Sequence, residues 1–331
     1  DAIRVDFNDG YVYYSSDKDV INNVFVLQAF NAEQFNNYEY GTPSITSVTV
    51  ANAGEGYTGE LPVTIIGENL KGYVITCSDS SFGNVNYVSD NMIKATVNCN
   101  GIVGENTITV TSGISSASST VKVVAAENCF SVGDIVFTDG TRIKAENVQY
   151  GIPDSQLSKA FAVITSVSYG GGVGKAVGLQ RSSSGLEWAP SGTTGYSTNF
   201  TGIQADYSSS TSSGYTFTGD IDGSDNWEYI CSIDPEGTKD PANNYPAFNF
   251  ALTYGTQAGL TGTEYENGWY VPSVAELYDV YTNKEVVQTS LNAAGGFTLG
   301  TSYYWSSSQS ASSNSYAYPV SFGGGYVYGY G

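Results

Sequence analysis

The sequence contains no histidine, and this limits the chemistry that the chain can perform. Catalysis by Ser-His-Asp or Cys-His groups, metal binding through imidazole and a pH switch near neutrality all require that side chain. Carboxylates, lysines and cysteines remain as candidates for acid-base or nucleophilic work. We therefore expect a protein that is not an enzyme and that has no cofactor and no bound metal ion.

Four cysteines occur at wide spacing, at Cys77, Cys99, Cys129 and Cys231. No two of them are close enough in sequence to supply the paired ligands of a zinc site. In an oxidising compartment, the pairs Cys77–Cys99 and Cys129–Cys231 fit the domain organisation best among the three possible connectivities. Four reduced, partly buried thiols are an equal alternative.

Two segments have a faint likeness to ligand sites. The acidic residues Asp220, Asp222, Asp225 and Glu228 lack the correctly spaced glycine and the terminal bidentate glutamate of a calcium-binding loop. The glycine-rich run 170–176 contains a lysine, but it lacks the spacing and the magnesium-binding hydroxyl of a phosphate loop. We predict solvated loop acids in the first segment and a hairpin turn in the second.

The elements that position such residues fall into two groups, and the first is rich in predicted strands. Short β-branched runs that mostly alternate with polar residues, separated by Gly, Asn, Asp or Ser, indicate strands. They lie at 45–50, 61–66, 73–77, 93–97, 106–110 and 119–123. Such a series is typical of an immunoglobulin-like sandwich. The segment resembles the IPT/TIG type of that fold through residues 43–45, 66–70 and 108–110, and this type is usually a spacer.

The second group mixes strands with helices. One helix is predicted to begin after Ser273, an N-cap residue that is followed by Glu276 at the capping-box position. Its buried face is predicted from apolar residues at helical spacing, namely Val274, Leu277, Tyr278 and Tyr281. Further strands are predicted at 133–141, 161–164 and 176–179, and a further helix at 245–252.

Three ordered segments of this second group are specific: 268–277, 303–309 and 317–327. The first contains Trp269, a large core anchor, just before the capped helix. Together the segments resemble the C-type lectin fold of formylglycine-generating-enzyme type, and within it the variable proteins of diversity-generating retroelements. The resemblance covers about residues 128–331. It implies a protein whose C-terminal codons are rewritten at adenines, so that the tail becomes a diversified, non-covalent binding site.

The composition of the tail agrees with this implication. In such proteins, rewriting the adenines of AAC codons never yields Lys, Glu, Gln, Met or Trp, and residues 310–331 contain none of these five types. They number 38 in the whole chain, so about two or three would be expected in the tail. The same 22 residues hold five Tyr, five Ser and five Gly. Binding loops favour this mixture, because tyrosine gives rigid amphipathic area while serine and glycine adapt.

Strand alternation sorts the tail into two sides. If Val320, Phe322 and Val327 face the core, the tyrosines near the end of the chain point to the other side. A row of exposed tyrosines indicates a binding surface; the alternative is an ordinary hairpin whose tyrosines pack on neighbouring loops. The predicted ligand-binding residues are Ser308, Ser310, Ser312, Asn314, Ser315, Tyr318, Pro319, Ser321, Gly323, Gly324, Tyr326, Tyr328, Gly329 and Tyr330.

Charge and composition bear on the partners of the chain. Its 12 basic and 32 acidic residues give a net charge of −20, which repels nucleic acid phosphates and anionic lipid surfaces. No run of 18 apolar residues is present to cross a bilayer as a helix. The abundance of Gly, Ser, Thr, Asn and Tyr is typical of secreted β-rich proteins. We expect an extracellular lipoprotein of a bacterial surface, with a lipid anchor upstream of residue 1 and a protein or glycan ligand on another cell or host surface.

These observations predict a mainly β chain with some helix (α+β). It consists of an N-terminal extension (1–44), an immunoglobulin-like β-sandwich (45–125) and a C-type lectin domain (126–331). Two rival functions stay open, a fixed-specificity adhesin or lectin and an oxidase of the formylglycine-generating type. Lectin calcium motifs are absent from the sequence and no cysteine follows Glu276. The resemblance therefore implies neither calcium-dependent sugar binding nor that oxidation.

Overall fold

A computed structural model describes residues 2–5, 12–15, 42–70, 76–77, 82–112, 115–210 and 214–328. Among the described residues, strand residues outnumber helical residues, which confirms a mainly β class with some helix. The chain divides into two compact units, Asp1–Thr42 and Pro43–Gly331. In the first unit, β1 (Ala2–Val5) pairs antiparallel with β2 (Val12–Ser15).

The first part of the second unit is built from strands. These are β3 (Ser44–Val50), β4 (Ala53–Gly54), β5 (Glu60–Glu68), β6 (Thr76–Cys77), β7 (Phe82–Ser89), β8 (Met92–Asn98), β9 (Gly104–Ser112) and β10 (Ser115–Val124). They form two four-stranded sheets, in the orders β3-β5-β8-β7 and β4-β10-β9-β6. The strands predicted from the sequence in this part are confirmed, except that 73–75 lies outside the described residues.

Alternation along these strands builds one apolar core. On β5, Leu61, Val63 and Ile65 are almost completely buried, while the residues between them are exposed or half-buried. Leu61 and Ile65 lie opposite Val97 and Ile93 of β8, which are buried on the same side. Because residues directly opposite in a sheet share a face, these side chains form a continuous apolar layer.

The remaining part of the second unit contains two more sheets and all of the described α-helices. The strands are β11 (Ile135–Phe137), β12 (Arg142–Ile143), β13 (Ala160–Ser168), β14 (Val173–Gly178), β15 (Gln204–Ser210), β16 (Gly214–Gly219), β17 (Tyr303–Ser310) and β18 (Ala317–Ser321). The helices are α1 (Asp154–Leu157), α2 (Thr194–Ser197), α3 (Asn226–Ile233), α4 (Pro241–Asn244), α5 (Pro246–Leu252), α6 (Tyr254–Gln257), α7 (Val274–Thr282) and α8 (Lys284–Ala293). The sheet orders are β12-β11-β13-β14 and β16-β15-β17-β18, with β15 parallel to β17.

Helix α7 confirms the predicted start signal. The Ser273 hydroxyl accepts a hydrogen bond from the Glu276 amide at 3.3 Å, and the Glu276 carboxylate accepts one from the Ser273 amide at 2.8 Å. Val274 and Leu277 are buried in the core, as the helical spacing predicts. This face packs against β13, β17 and β18. The helix therefore lies directly behind the tail of the chain.

The glycine-rich run forms a tight hairpin turn between β13 and β14, as predicted. Gly170 and Gly171 have φ values of +69° and +87°, a region that side chains rarely adopt. Gly172 has an ordinary φ of −69°, but a Cβ there would overlap the backbone of Ala53 in β4. The turn therefore joins the two parts of the second unit by close backbone contact.

The residues considered for metal or redox chemistry have structural contacts instead. Cys99, Cys129 and Cys231 are free thiols, so the Cys129–Cys231 bond is not formed, and the Cys77 side chain lies outside the described part. Asp222 accepts a hydrogen bond from the Ser224 amide and pairs with Lys175 at 3.1 Å. Among the described helices, none is long and apolar enough to cross a membrane.

Candidate ligand-binding surface

The tail of the chain begins with the hairpin β17–β18. The two strands are antiparallel, with Tyr303 opposite Ser321 and Trp305 opposite Pro319. Residues directly opposite each other share a face of a sheet, and so do residues two apart along a strand. These four side chains therefore lie on one side of the hairpin.

After a turn of three glycines, the chain runs back antiparallel to β18, and Val327 forms a β-bridge with Val320. We call β17, β18 and this returning segment the ribbon. Val320, Phe322 and Val327 are buried in the core, which confirms the predicted inner side of the tail. Tyr326 and Tyr328 flank Val327 and are exposed on the opposite side. They therefore lie on the same side as Tyr303 and Trp305.

Three tyrosines of this side form a contiguous surface, which we call the tyrosine face. Tyr303 is 55% exposed, Tyr326 is 54% exposed and Tyr328 is 38% exposed. The ring centre of Tyr328 lies 6.3 Å from that of Tyr303 and 5.9 Å from that of Tyr326. Neighbouring aromatic rings at these distances stabilise each other's orientation.

Aromatic packing on the inner side supports the tyrosine face. The Tyr304 ring lies 4.9 Å from the Phe322 ring, which in turn lies 5.7 Å from the Tyr281 ring of α7. The Tyr304 hydroxyl donates to the Leu299 carbonyl at 2.8 Å and accepts from Arg181 at 3.0 Å. The backbone that carries the exposed tyrosines is therefore fixed by buried contacts.

The structure corrects five of the predicted ligand-binding residues. The side chains of Ser308, Ser310, Tyr318, Pro319 and Ser321 are buried. Pro319 and Ser321 do lie on the side predicted by alternation, but they occupy the middle strand of the ribbon. The strands on either side carry larger aromatic side chains, Tyr303 and Trp305 on one and Tyr326 and Tyr328 on the other. We therefore assign these five residues to the support of the surface and not to its contact with a ligand.

The other predicted residues are accessible where the structure describes them. Ser312, Asn314, Gly323, Gly324, Tyr326 and Tyr328 are exposed, and Ser315 is half-buried. Gly329 and Tyr330 lie outside the described residues.

The buried serines of β17 hold the ribbon to the rest of the molecule. Ser308 Oγ accepts from the Val274 amide of α7 at 2.9 Å and donates to Asp220 at 3.2 Å. Asn226 donates to Asp220 at 2.6 Å and to Ser307 at 2.8 Å. Burial raises the pKa of Asp220, although these hydrogen bonds act in the opposite direction.

A cleft of about 250 Å³ opens beside Trp305, next to the tyrosine face. Two further sequence segments contribute to it, one around Trp188 and one around Tyr316. Trp188 is buried, Trp305 and Tyr196 are half-buried, and Tyr316 is 44% exposed. The lining residues are Leu186, Glu187, Trp188, Ala189, Ser191, Gly195, Tyr196, Trp305, Gln309, Asn314, Ser315, Tyr316 and Ala317.

Several residues of this surface were not among the predicted site residues, namely Tyr303, Trp305, Tyr316, Trp188 and Tyr196. The first three belong to tail segments, and their aromatic character was a usable signal. Trp188 and Tyr196 belong to a Ser- and Gly-rich segment that has few apolar residues. The spacing in the sequence does not indicate that this segment reaches the tail.

No family model matches the chain, and no curated protein matches it. Two solved structures of the surface layer protein SbsC are similar to it, at 16% and 18% identity and a TM-score of 0.22. Each match covers 54% of this chain and 22% of the solved chain. A likeness of that degree carries no inference about function.

Proposed function

We propose that this chain is a non-enzymatic binding protein of a bacterial cell surface, and that exposed side chains of its tail select a macromolecular ligand. The observation that carries the proposal is the tyrosine face. Three neighbouring phenol rings are exposed on one side of a ribbon, and contiguous exposed aromatic surface is often an interaction site. Tyrosine is also among the residue types that dominate binding energy at interfaces.

The rigidity of the support favours this function. Binding costs less free energy when the contacting side chains are ordered before the ligand arrives. Here the ribbon is fixed from behind by α7, by the Tyr304–Phe322 contact and by the buried serines of β17. Because the ribbon is already ordered, a small number of its side chains can bind a ligand tightly.

The division between exposed and buried positions favours a diversified site, as in the variable proteins of diversity-generating retroelements. Asn314, Gly323, Gly324, Tyr326 and Tyr328 are exposed, so substitutions there leave the core unchanged. The finer fold assignments belong to the same proposal: a C-type lectin domain behind the tail, and an immunoglobulin-like spacer before it. Each of these two parts has apolar cores of its own, which supports their separation. Surface display through a lipid anchor upstream of residue 1 belongs to the same proposal.

The purified chain can be tested against a phage-displayed random peptide library and a glycan array. The matched proteins are the wild type, the Tyr303→Ala/Tyr326→Ala/Tyr328→Ala variant and Tyr150→Ala, a control whose side chain is 80% exposed outside the ribbon. We expect ligands that bind the wild type and the control but not the triple variant. The proposal is overturned if every recovered ligand binds all three proteins equally, or if neither source yields a ligand.

A further inference from the structure

The cleft beside Trp305 offers a different chemistry from the tyrosine face, because its fixed N–H donors are already engaged. The indole of Trp188 donates to the Ser306 carbonyl at 3.0 Å, and that of Trp305 donates to the Leu186 carbonyl at 2.9 Å. The Gln309 amide nitrogen donates to the carbonyls of Thr198 and Asn314 at 2.8 and 2.7 Å. The two indoles and the Gln309 amide therefore have no N–H donor left for a ligand in the cleft.

The acceptors at the cleft are better placed for a ligand. Glu187 is exposed at the cleft and carries a carboxylate, which has only acceptor atoms when ionised. Asn314 is exposed, and its amide nitrogen donates to the Ser197 carbonyl at 2.8 Å. Its amide oxygen accepts from the Ser315 hydroxyl at 3.4 Å and has a second lone pair for a ligand. The lining contains no lysine and no arginine. Its formal charge is therefore negative, in a chain whose net charge is −20.

We propose that this cleft binds the guanidinium group of an arginine side chain in a protein ligand. Guanidinium is planar, has five N–H donors and has no acceptor, so it complements a lining of acceptors and ring faces. The rings of Trp305, Tyr196 and Tyr316 line one opening and are half-buried or exposed, whereas Trp188, which also lines it, is buried. Cations bind favourably over aromatic rings, most of all over tryptophan. This inference rests on the proposed function and names the ligand chemistry of the same surface.

Other ligand groups fit the cleft less well. A carboxylate or phosphate would meet the negative charge of Glu187 without a lysine or arginine in the lining to offset it. A sugar hydroxyl both donates and accepts, and with the indole and Gln309 N–H groups engaged, it would depend on the Ser and Tyr hydroxyls of the lining for donors. A neutral analogue of arginine with the same shape is therefore the sharpest comparison.

The probes are two capped tripeptides, acetyl-Gly-Arg-Gly-amide and its citrulline counterpart, titrated by calorimetry into the full chain. The variants are Glu187→Gln, Glu187→Gln/Tyr316→Ser and the control Glu146→Gln, which changes the same charge at an exposed site outside the cleft. We expect the arginine peptide to bind the wild type more tightly than the citrulline peptide. We also expect Glu187→Gln to weaken arginine binding about threefold and the double variant about tenfold. The control should bind as the wild type does.

Equal binding of the two peptides to the wild type would overturn the inference, and so would an unchanged arginine affinity in the double variant. Thermal unfolding of each variant separates a local effect from a loss of fold. The outcome is independent of the test on the tyrosine face. Library ligands that depend on the three tyrosines but tolerate citrulline in place of arginine would remove the inference and leave the proposed function standing.

Discussion

At the scale of single residues, exposed and buried side chains lie very close together in the tail. Tyr328 is exposed, and the neighbouring Val327 is buried in the core. Ser321 lies on the same side as the tyrosine face and is nevertheless buried, in a strand that lies between the segments carrying Tyr303 and Tyr326. In this ribbon, a position on the outer side is therefore not enough to expose a side chain.

Tyr328 lies between the other two rings of the tyrosine face, so it is the best single position for a test. For a ligand recovered from the library, we expect Tyr328→Ala to weaken binding by about 2 kcal/mol, which corresponds to roughly thirtyfold. The free energy of unfolding should change little, because the ring is not part of the core. Calorimetric titration of wild type, Tyr328→Ala and Tyr150→Ala measures this. Equal affinities of all three would contradict a central role for Tyr328.

The titration of Asp220 should make the stability of the folded chain depend on pH. Burial raises the pKa of Asp220 above the usual 3.8. The Asp220 carboxyl group therefore stays protonated to a higher pH in the folded chain than in the unfolded chain. The contribution of Asp220 to stability is therefore greatest at acidic pH and falls as the pH rises from 3.8 through the raised pKa. In Asp220→Asn this dependence is absent. We expect the melting temperature of the wild type minus that of the variant to decrease from pH 4 to pH 8, and a constant difference would contradict the assignment.

At the scale of elements, α7 is held at its first turn by one carboxylate. Besides the capping contact, Glu276 accepts hydrogen bonds from the Gly223 amide at 2.9 Å and the Tyr270 hydroxyl at 3.0 Å. It also pairs with Lys175 of β14. Burial lowers the pKa of Lys175, but the hydrogen bond and the charge of Glu276 outweigh this and leave the pKa raised. The helix behind the tail is thus tied to β14 and to the segment before α3.

We expect Glu276→Gln to lower the free energy of unfolding by about 2 kcal/mol, because it removes the charge from several hydrogen bonds and an ion pair. Glu285→Gln is the matched control, since Glu285 is an exposed glutamate in the first turn of the next helix. Urea unfolding followed by circular dichroism measures both changes. An equal loss of stability in the two variants would contradict a stabilising role for the hydrogen bonds and ion pair of Glu276.

The second prediction at this scale concerns the glycine turn between β13 and β14, which contacts β4. Gly172→Ala places a Cβ against the backbone of Ala53, so we expect the contact with β4 to open. Hydrogen exchange should then become faster at the amide of Glu55, which donates to Val124 at 2.9 Å beside this contact. Gly185→Ala is the control, because a Cβ there meets open space. Unchanged exchange in Gly172→Ala would show that the turn does not hold β4.

At the scale of the whole molecule, the proposed diversification must respect the core. Sequencing the 3′ end of the gene across a growing population, with its genomic neighbourhood, should find substitutions at exposed codons such as those of Asn314, Gly323 and Tyr326. The codons of Val320 and Phe322 should stay constant, because changes there would open cavities that cost about 2–5 kcal/mol. Matching adenines in a nearby template repeat would support a diversified receptor. An invariant tail without such a repeat would favour the fixed adhesin.

The sequence by itself determined those features that depend on local spacing. Period-two runs located the strands around Leu61 and Ile93, and a serine followed three residues later by glutamate located the start of α7. Strand alternation also predicted the buried side of the tail at Val320 and Val327. These features follow from backbone geometry within a few residues, so they are readable without knowledge of the fold.

Only the tertiary structure decided which outer residues of the tail reach solvent and what lies beside them. Ser321 is buried in the middle strand of the ribbon, and strand order is set by pairing between distant segments. Trp188 lines the cleft together with residues of the tail. Its indole donates a hydrogen bond to the carbonyl of Ser306, which is 118 residues away in the sequence. No local pattern encodes such a contact, because it results from how the whole chain packs its cores.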